Sequence, residues 1–138
     1  MSTARNKAVV RAFIEDAVVG YMQGERDDFR DFLAPDVVFH TPRLTAESSG
    51  SEGLHAEVAA YAQLLANPNL VVDFVIAEDD FVAIHMTSHA SPASRLSGLT
   101  GDPVGSGGMA ILRVHDERIT DVWYYSRHPD VIAATASD

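Results

Sequence analysis

The stretch from Gly98 to Arg127, GLTGDPVGSGGMAILRVHDERITDVWYYSR, constrains this chain more than any other. Two extended runs, Met109 to His115 and Ile119 to Arg127, are joined by the charged turn Asp116-Glu117-Arg118. Both are rich in Ile, Val, Trp and Tyr, whose branched or aromatic side chains fit a pleated, half-buried surface. The gap between them is too short for anything but an antiparallel hairpin. A hairpin of this length makes a sheet the backbone of the fold, and any chemistry would lie on its inward-facing side chains.

The segments upstream complete the class. Val9, Val10, Phe13, Ile14, Ala17, Val18, Tyr21 and Met22 recur at spacings of three and four, the pattern of one face of an amphipathic helix over residues 4 to 23, with Gly24 as its stop. A second, short helix is predicted over Asp27 to Ala34, with Phe29, Phe32 and Leu33 inward, and a short strand over Asp36 to Pro42. A third helix is predicted from Ser51 or Glu52 to Ala66, with Val58, Tyr61, Leu64 and Leu65 toward the core and Asn67-Pro68-Asn69 after it. Leu70 to Ala77 and Phe81 to Ala90 read as strands tied by Glu78-Asp79-Asp80. Helices first and an antiparallel sheet afterwards is the α+β pattern. The 138 residues suit one domain spanning 1–138, and no repeat or linker suggests a second.

Ten basic against twenty acidic side chains give a net charge of −10. That disfavours nucleic acid, whose phosphates need clustered Lys and Arg, and anionic membrane surfaces. No run approaches the ~20 apolar residues of a membrane span. The polar start, Met1 to Lys7, has no signal-peptide pattern, so the predicted location is cytoplasmic. There is no cysteine, which excludes disulfides, thiol nucleophiles and Cys-ligated zinc. No phosphate loop, HExxH or calcium-loop pattern occurs, and no cofactor or metal is predicted.

The order of elements, together with Thr100-Gly101-Asp102-Pro103-Val104 leading into Gly108 to Val114, resembles the SnoaL-like polyketide cyclases of the nuclear transport factor 2-like superfamily, which includes ketosteroid isomerases. Phe39-His40-Thr41-Pro42, Gly53-Leu54, His89 and Ile119-Thr120-Asp121-Val122-Trp123 add to the likeness, which covers roughly residues 5 to 130. The resemblance implies a curved antiparallel sheet wrapped around three N-terminal helices, a cone with an apolar pocket, and a homodimer formed through the outer sheet face. It also implies an aspartate on the last strand and a histidine on the preceding one as acid/base pair. Those positions are Tyr124 and Ala110 here, and the aspartate of the isomerases, just before a proline, is Thr41. The familiar carboxylates are missing.

What remains is a different set. His40, beside Thr41-Pro42 at the predicted pocket mouth, has a side chain whose pKa near ~6.5 suits acid/base work. Tyr124, predicted inward with Val122 and Ser126, can donate to a substrate carbonyl or serve as an aromatic wall. Tyr21 has the same two readings. Period two splits Phe81 to Ala90 into Val82/Ile84/Met86/Ser88, the better core face, and Ala83/His85/Thr87/His89. His85 and His89 then lie ~13 Å apart on the outer face, too far to share a metal, although a strand end can curl His89 into the mouth. Asp73 is predicted to face away from the bulkier Val72/Phe74/Ile76 set. The expectation is a cofactor-independent enzyme with His40 and Tyr124 catalytic and Tyr21, Thr41, Tyr61, Met86, His89 and Trp123 contacting a hydrophobic, polyketide-like or polycyclic molecule. Trp123 stays in this set because the strand's parity can slip by one. A non-catalytic hydrophobic-ligand binder or a dimerisation module on the same fold are the alternatives, and convergence of His40 with another polar group on one cavity would separate them.

Overall fold

A computed structural model of the protein describes residues 2–40, 50–63, 65–89 and 107–126. Its first element is one continuous helical rod. Helix α1 (Thr3–Ala12) is capped by Ser2, whose hydroxyl accepts from the Arg5 N–H at 3.2 Å, and passes into a π-helical segment (Phe13–Val18) and then α2 (Val19–Met22). Val10, Phe13, Ile14, Ala17 and Val18 all face the core, so the predicted apolar stripe is real. Gly24, in the left-handed region at φ 78°, turns the chain away.

The second predicted helix reduces to a single 3-10 turn, Arg30–Phe32. Leu33 and Ala34 already belong to strand β1 (Leu33–His40), which carries Pro35 on the edge of the sheet, where a missing N–H is harmless. Phe29 and Leu33 are buried as expected, held by the turn and the strand. Helix α3 (Ser51–Gln63) follows, burying Gly53, Leu54, Glu57 and Ala60. Then come β2 (Asn69–Glu78), β3 (Phe81–His89), β4 (Gly107–His115) and β5 (Arg118–Ser126).

The five strands form one sheet in the order β1-β5-β4-β3-β2. The predicted α+β architecture and closing hairpin are present. β4 and β5 pair in antiparallel register with His115 opposite Arg118, so the turn is Asp116-Glu117, both at positive φ (50° and 63°), as a tight hairpin turn of matching twist requires. The sheet is mixed, however, because β1 runs parallel to β5, with Phe39 level with Val122 and His40 with Trp123.

Alternation sorts the side chains cleanly on β3 and β4, and on β5 a register shift beside Val114 brings Ile119 and Val122, three apart, to one face. Val82, Ile84, Met86 and Ser88 of β3, Ala110, Leu112 and Val114 of β4, and Ile119 and Val122 of β5 face the rod and α3. On β2 the expectation fails. A bulge between Val72 and Phe74 inserts Asp73 and reverses the parity: Val72 stays buried, Phe74 and Ile76 turn outward at 56% and 63% exposure, and Val75 and Ala77 pack against the core. The rod braces this irregularity. The Val72 N–H donates to Glu15 Oε2 at 3.2 Å, the Val72 carbonyl accepts from Arg11 at 3.4 Å, and Arg11 pairs with Glu15 at 3.5 Å. Among the described residues, no helix is long and apolar enough to cross a membrane.

Candidate functional site

The two predicted catalytic residues stand on opposite faces of the sheet. β1 buries Val37 and Phe39, so His40 follows Val38 to the outside. There its ring stacks on Trp123 at 4.5 Å and 6°, and Nε2–H donates to Asp121 Oδ2 at 2.9 Å, since a carboxylate can only accept. Asp121 Oδ1 accepts from the Thr120 hydroxyl at 2.8 Å. Burial pulls the Asp121 carboxyl upward, but the hydrogen bonds from His40 and Thr120 and the charges of His40 and Arg113 outweigh it and hold its pKa below the usual value. Tyr124, by contrast, packs inward against the core, its ring 6.5 Å from that of Phe39. A mechanism that joins His40 and Tyr124 on one substrate is therefore overturned by strand parity.

Trp123 and His89 are also outside. Trp123 lines a shallow apolar groove of about 460 Å³ together with Ile76, Glu78, Phe81, Ala83, Ile111 and Tyr125. His89 is exposed at the end of β3, opposite Asn69. His85, on the same face, stacks on Phe74 at 5.3 Å and donates from Nδ1 to Asp73 Oδ2 at 2.7 Å; the Thr87 hydroxyl donates to the same oxygen at 2.6 Å. The Thr87 bond first and the His85 bond second hold the Asp73 carboxyl low. Asp73 thus faces outward as expected, beside His85 and Thr87. Thr41 lies outside the described residues.

The inner face carries a smaller polar set on an apolar ground. Tyr21 and His55 meet at 4.5 Å, and both pack on Phe29, Tyr21 edge-on at 5.5 Å and His55 stacked at 5.4 Å. Tyr61 of α3 is half-buried, and burial raises its hydroxyl pKa, an effect partly countered by the neighbouring Ser88 hydroxyl. Ser88 Oγ has almost no contact with solvent and reaches no hydrogen bond of ordinary geometry among the described residues. Met86 is buried two residues before it, level with Gly108. Tyr124 leans toward Gly108, where an added Cβ would lie 3.6 Å from its hydroxyl. Glu57, one helical turn before Tyr61, is a buried carboxylate at 8% exposure.

Of the predicted catalytic and contact residues, then, Tyr21, Tyr61, Met86 and Tyr124 share the inner side, whereas His40, His89 and Trp123 do not. Three functional candidates escaped the sequence reading. Glu57 had a visible signal, since it sits three residues after Leu54 and four before Tyr61 on the apolar stripe of its helix. Ser88 was visible as the polar member of an otherwise apolar alternation. Asp121 had none, because its link to His40 depends on the parallel pairing of β1 and β5. Among the described residues no three His, Asp or Glu side chains come together as a metal-binding group.

Solved structures share this fold. A de novo designed protein with a curved β-sheet aligns over 99% of this chain and 98% of its own, with a TM-score of 0.72 and 15% identity. A proposed SnoaL-like polyketide cyclase from Jannaschia sp. CCS1 aligns over 99% and 94%, at TM-score 0.69 and 21% identity. AclR, a proposed hydroxylase from Streptomyces galilaeus, aligns over 99% and 84%, at 0.65 and 17%. At such identities these likenesses speak for the fold alone. No curated protein matches the sequence. The SnoaL-like domain family does, across residues 10–122. With the helical rod, the mixed five-stranded sheet and this sequence match in agreement, the chain belongs to the SnoaL-like domain family.

Proposed function

We propose that this SnoaL-like protein is a cofactor-independent enzyme that moves a proton on a hydrophobic, polyketide-like or polycyclic molecule held against the inner sheet face. The observation that carries this reading is the buried carboxylate of Glu57, on the packed side of α3 one turn before Tyr61. A carboxylate withdrawn from water, with hydroxyl donors on the same side of the sheet, offers what proton removal next to a carbonyl requires: a base, and hydrogen bonds for the oxygen on which negative charge collects. Tyr61, kept neutral by burial, and Tyr124 are the donors; Tyr21 and Met86 are wall. Cyclisation, isomerisation and dehydration all begin with such a step. The familiar acid/base pair of the closing hairpin is thus replaced by one drawn from α3.

Deuterium uptake tests this without knowledge of the product. Polycyclic ketones incubated with the protein in D₂O should gain mass at the carbon next to the carbonyl. Glu57→Gln should slow the gain by about 100-fold or more, the usual worth of a general base. Binding of the same ketones with no uptake would leave a hydrophobic-ligand binder.

The outer face favours a second, compatible reading: two copies associate through it. Phe74, Ile76, Met109, Ile111 and Tyr125 are 46–63% exposed there, far more apolar surface than scattered exposure produces. Ile111→Asp, which puts a carboxylate in the groove lining, should give a monomer in sedimentation while leaving the unfolding curve nearly unchanged at concentrations where wild type is also monomeric.

A further inference from the structure

The inner sheet face is apolar at one end and bears oxygen at the other. Val82, Ile84, Leu112, Val114 and Ile119, toward the Asp79-Asp80 and Asp116-Glu117 turns, are 0–2% exposed and have no polar side-chain atom. At the opposite ends of the same strands stand Ser88 of β3 and Tyr124 of β5, and Tyr61 of α3 neighbours Ser88. Ser88 lies opposite Leu70 on the β2/β3 ladder and two residues after Met86, which is level with Gly108 of β4. The Tyr124 ring leans toward that glycine.

Ser88 is the anomaly in this set. It is 4% exposed, and its Oγ makes no hydrogen bond of ordinary geometry among the described residues, although the Tyr61 hydroxyl is close by. A buried hydroxyl left unpaired costs stability, and an alanine would occupy the same place without that cost. Two hydroxyls that are close to each other but not aligned can both donate to a third oxygen. We propose that Ser88 is a specificity-determining residue of the inner face, donating its O–H together with Tyr61 to one carbonyl oxygen of the bound molecule. The assignment rests on the reading that a hydrophobic molecule lies against that face, and it names the feature of the molecule that is recognised there.

A neutral oxygen suits these surroundings better than a carboxylate or phosphate does. Among the described residues no lysine or arginine is buried, Glu57 is itself a buried carboxylate, and the chain has a net charge of −10. The His55 imidazole is taken up in stacking on Tyr21 and Phe29. An anion brought to this end would lose its water and gain no counter-charge. A carbonyl oxygen has two lone pairs and no proton to place, so it matches two donors. Leu70, Val72, Met86 and Ala110 offer apolar contact around it. A hydrocarbon of the same shape would leave Ser88 unpaired, which is how a site built on a hydrogen bond rejects an analogue lacking the oxygen.

Equilibrium titration of the full chain with α-tetralone and with tetralin, the same bicyclic skeleton without the oxygen, tests the assignment. Wild type should bind the ketone about tenfold more tightly than the hydrocarbon, the net worth of one buried hydrogen bond. Ser88→Ala should bind the ketone about tenfold more weakly than wild type does and tetralin as tightly or slightly better, with an unchanged unfolding curve. A site on the outer face would be indifferent to Ser88. Equal affinity of wild type for the two probes, or a ketone preference that survives Ser88→Ala, would overturn the role of Ser88 and leave a hydrophobic site standing. A preference that Ser88→Ala abolishes, with no deuterium uptake by the ketone on wild type in D₂O, would uphold Ser88 and end the proton-transfer reading. Failure of wild type to bind either probe up to its solubility would overturn both.

Discussion

The two faces of this sheet are both apolar, and they differ in what surrounds the apolar groups. Along β4, Ala110, Leu112 and Val114 are 1–4% exposed, while their neighbours Met109 and Ile111 are 60% and 46% exposed. The inner residues lie on the side of the helical rod and α3; no described helix covers the outer ones. Histidine follows the same division. His40, His85 and His89 are outside, whereas the polar residues buried among the described ones are Asn6, Glu57 and Ser88, with His55 stacked on Phe29. What this teaches is that the most reactive-looking side chains of the sequence belong to the outer surface, and the inner side holds quieter residues.

The comparison breaks most visibly in two large-to-small substitutions. Phe29 is fully buried between Phe13, Tyr21 and His55, with ring centroids at 5.7, 5.5 and 5.4 Å. Phe29→Ala should lower unfolding stability by about 3–5 kcal/mol, because the cavity cannot close around three fixed rings. Phe74 has a side chain of the same size at 56% exposure. Phe74→Ala, measured by urea unfolding at a concentration where the protein is monomeric, should cost less than about 1 kcal/mol. Equal costs would mean that the outer face is not free surface in one copy.

How much of this was legible follows from the period of each strand. β3 was readable residue by residue, since its alternation is uninterrupted and Val82/Ile84/Met86/Ser88 fell inside as expected. On β5 Val122 and Tyr124 lie inward as read, although a register shift beside Val114 puts Ile119 on their face as well. β2 was not readable in this way. Val71, Val72, Phe74, Val75 and Ile76 offer apolar side chains to both faces, so hydrophobicity cannot choose a register and an inserted Asp73 leaves no mark in the pattern. The helix predicted over Asp27 to Ala34 failed because Phe29, Phe32 and Leu33 have helical spacing, yet a 3-10 turn followed by a strand buries Phe29 and Leu33 equally well. His40 was misplaced for a related reason. Its own strand gave the correct parity, with Phe39 as the bulky inward neighbour, but the weight placed on its neighbour Thr41-Pro42 and on the chemistry of imidazole drew it inward.

A smaller effect sharpens the account of how β2 changes face. Glu15 supplies the acceptor for the Val72 N–H at the edge of the bulge, and Arg11 supplies a donor for the carbonyl of the same residue. Glu15→Ala leaves a part-buried N–H without its partner and should cost about 1–3 kcal/mol, whereas Glu15→Gln retains an acceptor and should recover most of it. Thermal unfolding of the two variants decides the matter. If Glu15→Ala is neutral, the bulge is set by the strands alone and the rod merely rests on it.

The smallest effects belong to the inner hydroxyls, and they separate a structural role from a chemical one. Ser88 makes no hydrogen bond of ordinary geometry among the described residues, so Ser88→Ala should change stability by less than about 0.5 kcal/mol in either direction. Tyr61→Phe should be similarly mild at neutral pH and should reveal itself only in alkali. Burial raises the folded-state pKa of Tyr61 above its unfolded value of 10.0, so the folded chain favours the neutral phenol. Its contribution is then fully present below the unfolded value and is lost as pH rises through the folded one, where the buried hydroxyl must ionise or the chain must open. Wild type should therefore lose stability more steeply than Tyr61→Phe above about pH 10. Parallel alkaline curves for the two proteins would place the Tyr61 hydroxyl in contact with water and remove it from the donors assigned to the inner face.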